Sequence, residues 1–309
     1  MMRDISRKLS LLLALLCLLL LFVGGPGPDA PRSYKDFWDL GHLFCFALWT
    51  WLYLEWRPRQ GVWKQLGLVL ALAFIVGGAT ELLQAKVGRD ASWADLQKDL
   101  LGSQLTFLFL NPARQQLRNW LLRGMQMFVV MAVLWTALPL ARVVTDEVIA
   151  WHQFPLLSGF ETPLERERWG GDSQRRVVID IVHSGQASLR VELNTDRYSG
   201  VFLRYFPADW SGYRLLRLQV FNPEATPFTI YFRIHDQLHR QHENAYRDRF
   251  NTSFVLKPGW TLLTIPLEKV AAAPKGRRMN MQRIAGVGLF VAKLTRRRTI
   301  YIDDVELVR

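Results

Sequence analysis

The first 144 residues alternate long apolar runs with short polar connections, whereas beyond them apolar residues come in short stretches of period two. A helix needs about 20 mostly apolar residues to cross a hydrocarbon core of about 30 Å. Residues 9–23, 37–56, 62–83, 94–110 and 125–144 approach that length, and they predict an α-helical membrane bundle of about five transmembrane helices. The first run follows Arg3, Arg7 and Lys8 as in a signal peptide, but Gly24-Gly25-Pro26-Gly27-Pro28 lacks a small-x-small cleavage pattern, which favours an uncleaved anchor. In the second half, the candidate strands are residues 177–182, 188–193, 200–206, 215–221, 228–234, 252–256, 261–266, 283–291 and 299–307. Turn pairs such as Ser184-Gly185, Ser211-Gly212, Asn222-Pro223 and Pro258-Gly259 separate them. That spacing predicts an all-β jelly-roll sandwich over residues 157–309, preceded by a linker at 145–156 and opened by a strand near Phe160-Glu161.

Composition sharpens the division. The 50% hydrophobic content and mean hydropathy of +0.05 are averages over an apolar half and a water-exposed one. The net charge of +12 splits evenly, with 15 basic and 9 acidic residues up to Val144 and 24 basic and 18 acidic after it. No single basic tail results, so nothing points to a nucleic-acid partner. Cys17 and Cys45, the only cysteines, both sit in apolar runs, which excludes a secreted disulfide scaffold. Basic residues also set topology, because short cytoplasmic loops are enriched in Lys and Arg. Arg3, Arg7, Lys8, Arg57, Arg59, Lys64, Arg114, Arg118 and Arg123 fall on one side, and Arg32, Lys35, Lys86 and Arg89 on the other. The N-terminus is therefore expected in the cytoplasm and the sandwich outside, in a multi-pass protein of a bacterial cytoplasmic (inner) membrane.

Polar residues in spans are costly and mark functional candidates. Asp39 and His42 open the second run, Glu81 and Gln84 close the third, Arg89 lies between, and Ser92, Asp95 and Asp99 open the fourth. All fall at one expected depth, near the outer surface. Asp95, Asp99 and Gly102 share a helix face by their i, i+4, i+7 spacing, and Gly102 would let helices approach closely. Three readings stand: charge pairs that lock the helices, a pocket for an anionic or sugar-bearing lipid headgroup gripped by Arg89, and a catalytic site using His42 and an acid. No nucleophile or metal motif accompanies the cluster, so an enzyme is the weaker reading. The order Asp39-x-x-His42 with Phe46, Glu81-x-x-Gln84, Arg89, Ala91-Ser92-Trp93-x-Asp95 and Asp99-x-x-Gly102 resembles the VanZ-like family of membrane proteins, over residues 1–144. Asp99 stands where that family usually has Asn, and Leu40 where Lys is common. The resemblance implies a cell-envelope protein of a family named for glycopeptide-antibiotic resistance.

The second half carries a resemblance of its own. Phe160-Glu161 with Trp169, His183-Ser184-Gly185, Asp209-Trp210-Ser211-Gly212-Tyr213, Arg233-Ile234-His235-Asp236, Asp248-Arg249-Phe250-Asn251, Pro258-Gly259-Trp260 and Tyr301-Ile302-Asp303-Asp304-Val305 resemble galactose-binding-like jelly rolls, among them carbohydrate-binding modules and the mitochondrial complex I assembly-factor domain. Sugar recognition combines aromatic faces with planar polar groups. Tyr205, Tyr231, Arg233, His235, Asp236, Tyr246, Asp248, Arg249 and Asn251 supply both kinds and form the glycan-binding candidates, against the alternatives of an ordinary polar face or a protein-binding one. The run His235-x3-His239-x2-His242 has metal-like spacing but lies on a loop, and is read as solvated. Glu161 and Asp303, at the two chain ends of the sandwich, are candidates for a structural calcium, the one metal that the resemblance suggests. Arg296-Arg297-Arg298 and Gly276-Arg277-Arg278 are read as solvated hairpin tips. Together these features predict a membrane protein that recognises envelope polysaccharide or lipid-linked saccharides, with membrane lipids as its other partners. The alternatives are an outer-leaflet headgroup transferase or hydrolase and a lipid or drug transporter.

Overall fold

The computed structural model describes residues 2–22, 25–27, 30–56, 60–86 and 92–309, with backbone alone for residues 2–10. Arg57, Arg59 and Arg89 lie outside the described residues. The chain divides into two compact units, Met1–Val143 and Val144–Arg309.

The first unit is helical: α1 (Met2–Phe22), α2 (Arg32–Asp39), α3 (Gly41–Trp56), α4 (Val62–Lys86), α5 (Trp93–Leu110) and the start of α6 (Asn119–Gln153). The run expected as a single span over 37–56 is broken at Leu40, where the polar α2 ends and the apolar α3 begins. At 16 residues α3 extends about 24 Å, short of a hydrocarbon core of about 30 Å. Among the described residues two helices, α4 and α6, are long and apolar enough to cross a membrane, rather than five. Residues 145–153, expected as linker, are the last turns of α6; no Gly or Pro interrupts them until Pro155. The expected close approach at Gly102 is present: a Cβ there would come within 2.1 Å of the Leu43 carbonyl oxygen, so α3 and α5 pack backbone to backbone. Thr106 Oγ1 adds a hydrogen bond to the Ala47 carbonyl at 2.9 Å.

The second unit is a sandwich of two antiparallel sheets. One has the order β3 (Gln174–Val178), β4 (Ser188–Leu193), β11 (Arg298–Val308), β6 (Leu215–Asn222), β9 (Gly259–Pro266), with β1 (Leu156–Ser158) also on β11. The other runs β2 (Trp169–Gly170), β5 (Tyr198–Leu203), β10 (Ile284–Ala292), β7 (Phe228–Asp236), β8 (Phe250–Leu256). Alternation dictates what each strand buries. Ile230, Phe232 and Ile234 of β7 and Val287, Leu289 and Val291 of β10 meet Leu218, Val220, Leu263 and Ile300 of the opposite sheet in one buried core. Each such side chain contributes about 1.5–3 kcal/mol on burial. The predicted strands are all present, with ends shifted by a few residues, but the opening strand is not at Phe160-Glu161. Phe160 sits in the left-handed region at φ 63° with its ring buried against Trp169, because the chain there wraps the Glu165 carboxylate instead of pairing. Glu165 Oε2 accepts from the backbone N–H groups of Gly159 and Phe160, each at 2.9 Å.

Candidate functional site

In the helical unit, the sequence-predicted polar residues separate into a cluster and bystanders. His42 Nδ1 lies 2.9 Å from Asp99 Oδ1, and His42 Nε2 lies 3.9 Å from Glu81 Oε1. The second Glu81 oxygen accepts from the backbone N–H of Ser92 at 2.6 Å, so Ser92 serves through its main chain. Asp95 Oδ1 accepts from Lys98 Nζ at 2.6 Å. Gly77 makes room for this arrangement: a Cβ on it would fall 2.4 Å from Asp99 Oδ2. Gln84 turns away and donates to the Leu21 carbonyl at 2.7 Å, and Asp39 is exposed at the end of α2, apart from these contacts. Arg89, the residue expected to grip a headgroup phosphate, lies outside the described residues.

On the sandwich, the five-stranded sheet presents a face of unusual make-up. Between the inward Ile230, Phe232 and Ile234, the side chains of Tyr231, Arg233 and His235 point outward, as β-strand alternation requires. Opposite them on β10 stand Phe290, Gly288 and Gly286, and Asn251 and Ser253 flank them on β8. The glycines let large side chains lie down on the sheet instead of standing off it. A Cβ on Gly288 would be 2.8 Å from Arg233 Nε, one on Gly286 2.6 Å from the His235 ring, and one on Gly170 2.4 Å from the Phe202 ring. Tyr231 and Phe290 stack at 5.6 Å with an interplanar angle of 22°, and Tyr198 meets Phe290 edge-on at 6.1 Å. Three arginines each lie over an aromatic ring: Arg204 over Phe202 at 3.9 Å, Arg233 over Phe290 at 5.9 Å and Arg249 over Tyr246 at 5.3 Å. Arg249 also donates to Asn251 Oδ1 at 2.9 Å. Burial, followed by repulsion from Arg249 and Arg204, lowers the pKa of Arg233.

Of the predicted glycan candidates, Tyr231, Arg233, His235, Tyr246, Arg249 and Asn251 gather on or beside this face, while Tyr205 follows β5, half-buried. Asp236 and Asp248 are elsewhere. Both are buried, and both are held by Arg277, which donates to Asp236 at 2.6 and 2.8 Å and to Asp248 at 2.7 and 2.8 Å. Arg277 is therefore not a solvated tip. His239, read as part of a solvated loop, is buried with Nδ1 3.1 Å from Asp248 Oδ2. Phe202, Phe290, Tyr198, Arg204 and the glycines were not singled out by sequence, although Gly286-x-Gly288-x-Phe290 and Tyr198-x-Gly200-x-Phe202 carry the period that would have found them.

The carboxylates considered for calcium are engaged by backbone. Asp303 Oδ2 accepts from His183 N–H at 2.9 Å and Ser184 N–H at 3.3 Å, its Oδ1 accepts from Asp304 N–H at 2.9 Å, and Glu161 Oε1 accepts from Gln186 N–H at 2.8 Å. These oxygens clamp the loop at 183–186, and among the described residues Glu161 and Asp303 do not belong to any cluster of three or more His, Cys, Asp or Glu side chains.

His235 yields a pH prediction. Burial first, then His239, Arg233 and Arg249, push its pKa down to about 4, partly offset by Asp236. A histidine with a depressed folded-state pKa is neutral in the fold, so stability falls as pH drops from its unfolded pKa of about 6.5 through 4. The wild type should therefore lose about 2–3 kcal/mol relative to His235→Gln between pH 7 and pH 4, measured by urea unfolding. A constant difference across that range would refute it.

No family model matches the chain, and no curated protein sequence does. The VanZ-like resemblance of the first half thus has no support from a family model. The second half is similar in fold to solved carbohydrate-binding modules. One is the family 11 module from Clostridium thermocellum in complex with a β-1,3-1,4-mixed-linked tetrasaccharide: 16% identity, 50% of this chain and 94% of that one covered, TM-score 0.39. Another is the family 30 module of a cellulosomal cellulase of Clostridium thermocellum: 15% identity, 46% and 91% covered, TM-score 0.35.

Proposed function

We propose that this chain is a membrane-anchored glycan-recognition protein whose sandwich takes a saccharide on the outer face of the five-stranded sheet. The observation that carries the reading is the stacked pair of Tyr231 and Phe290, with Tyr198 edge-on to it, beside Arg233, His235 and Phe202 lying over Gly288, Gly286 and Gly170, and with Asn251 on the next strand. A pyranose ring offers C–H bonds on its faces and hydroxyls around its rim. Flat aromatic rings meet the first, and guanidinium, imidazole and amide groups meet the second. Three arginines held over rings rather than against carboxylates favour a saccharide carrying uronate or phosphate. The two long apolar helices α4 and α6 support membrane anchoring. The distribution of basic residues supports a cytoplasmic N-terminus and an extracytoplasmic sandwich, in reach of envelope polysaccharide or lipid-linked saccharides.

The test is isothermal titration of the detergent-solubilised full chain with neutral and uronate-bearing envelope oligosaccharides. Binding of the acidic oligosaccharides is expected, with affinity falling about tenfold for each of Tyr231→Ala and Phe290→Ala. Arg233→Gln should narrow the gap between acidic and neutral ligands. Absence of heat with every member of a broad panel would overturn the reading.

A further inference from the structure

We propose that the polar end of the helical unit binds a divalent transition-metal ion through His42, Glu81 and Asp95, independently of any glycan on the sandwich. One donor atom from each residue lies within 4.8 Å of the others. That is slightly beyond the span of about 4 Å reached by two metal–ligand bonds of about 2 Å each, so modest side-chain rotation closes the set.

Two buried atoms point into this space without a hydrogen-bond partner. His42 and Glu81 are only 4% and 6% exposed, yet His42 Nε2 and Glu81 Oε1 are both unsatisfied. Leaving such groups bare is costly. The pair does not satisfy itself, because 3.9 Å is too long for a hydrogen bond. It is a natural separation for two ligands of one ion.

The surroundings match what a metal-bound histidine needs. Asp99 Oδ1 sits 2.9 Å from His42 Nδ1, the carboxylate partner that a metal-bound histidine uses to keep its proton on Nδ1 and leave the Nε2 lone pair for the ion. Ser92 N–H holds the other oxygen of Glu81, and Lys98 holds one oxygen of Asp95. Among the described residues of this cluster, Glu81, Asp95 and Asp99 face one lysine, Lys98, a balance that a dication would offset. One imidazole with two carboxylates is the donor set of Zn²⁺, Fe²⁺ or Mn²⁺ rather than of the oxygen-only sites of Ca²⁺. Three protein ligands leave a coordination position open.

The experiment uses the full chain purified in detergent, stripped with a chelator and titrated with Co²⁺, whose visible absorption reports on coordination. Elemental analysis runs in parallel. The wild type is expected to bind about one ion per chain at this site, with visible bands displaced by Zn²⁺. His42→Ala should lose the bands, and Asp95→Asn, on the partly exposed ligand, should lose or strongly weaken them even where His42→Ala fails to fold. Asp99→Asn should keep the stoichiometry but bind about 10- to 100-fold more weakly. Asp39→Asn should bind as wild type. A wild type that takes up neither Co²⁺ nor Zn²⁺, or an Asp95→Asn protein with unchanged bands and affinity, would overturn the proposal.

Discussion

Arg168→Ala is expected to cost the sandwich unit about 3–5 kcal/mol, enough to unfold much of it at moderate temperature. Arg168 is completely buried, and its guanidinium is spent in four directions. Nε donates to Asp146 Oδ1 at 2.8 Å, one terminal nitrogen donates to the Asp146 carbonyl at 3.3 Å, and the other donates to Gln153 Oε1 at 3.2 Å and the Leu157 carbonyl at 3.1 Å. Asp146 and Glu165 are themselves 1% and 0% exposed. Truncation takes the guanidinium away from a carboxylate that is buried from water, and that loss of charge compensation is the main cost. Arg168→Lys keeps the charge but cannot fork, so it should recover only part of the difference. Urea unfolding followed by fluorescence of the buried Trp169 and Trp210 reads the effect. A loss under about 1 kcal/mol would mean that water reaches Asp146.

Arg277→Met should have the next largest effect, about 3 kcal/mol at neutral pH, and its pH dependence identifies the cause. Its four charge-assisted bonds hold Asp236 and Asp248 together although the two carboxylates repel. Chiefly through the hydrogen bonds from Arg277, the pKa of Asp248 is drawn down to about 2; burial pushes that of Asp236 up, but the hydrogen bonds from Arg277 and the Asn280 N–H outweigh it and leave it lowered. A carboxylate depressed in the fold contributes stability above its unfolded pKa of about 3.9, and that stability is lost as pH falls through its folded pKa. Without Arg277 the two acids face each other uncompensated, and protonation relieves them. The gap between wild type and Arg277→Met should therefore shrink as pH drops from 7 toward 4. A gap that stays constant would assign the loss to packing of the arginine stem instead.

What the sequence made legible follows from range. Period-two alternation located the strands of the sandwich, because burial of one face acts residue by residue within a strand. The same rule placed Tyr231, Arg233 and His235 together outside. Applied one step further, it puts Asp236 on the inward side with Ile234, where it is found bound to Arg277. The partner of Asp236 lies 41 residues away, and no local pattern announces such a pair. Arg168 is equally silent, since Asp146 precedes it by 22 residues on a helix that continues through the expected linker. In the helical unit, span counting from apolar length missed the break at Leu40, because composition over 37–56 stays mostly apolar while the helix is interrupted between Asp39 and Gly41. Asp95 and Asp99 share one helix face in the sequence, but only the structure separates Asp99, which sits at His42 Nδ1, from Glu81 and Asp95 on the side of Nε2.

The claim that the five-stranded face recognises glycan is tested most directly by hydroxyl-radical footprinting of the full chain with and without a saturating acidic oligosaccharide. Tyr231, Tyr198 and Tyr246, which are 40%, 55% and 70% exposed in the free protein, should be protected together with Phe290, while the exposed Tyr34 and Trp120 of the helical unit stay as reactive as before. Ligand bound to saturation with those tyrosines still fully reactive, or with protection confined to the opposite sheet, would contradict the account.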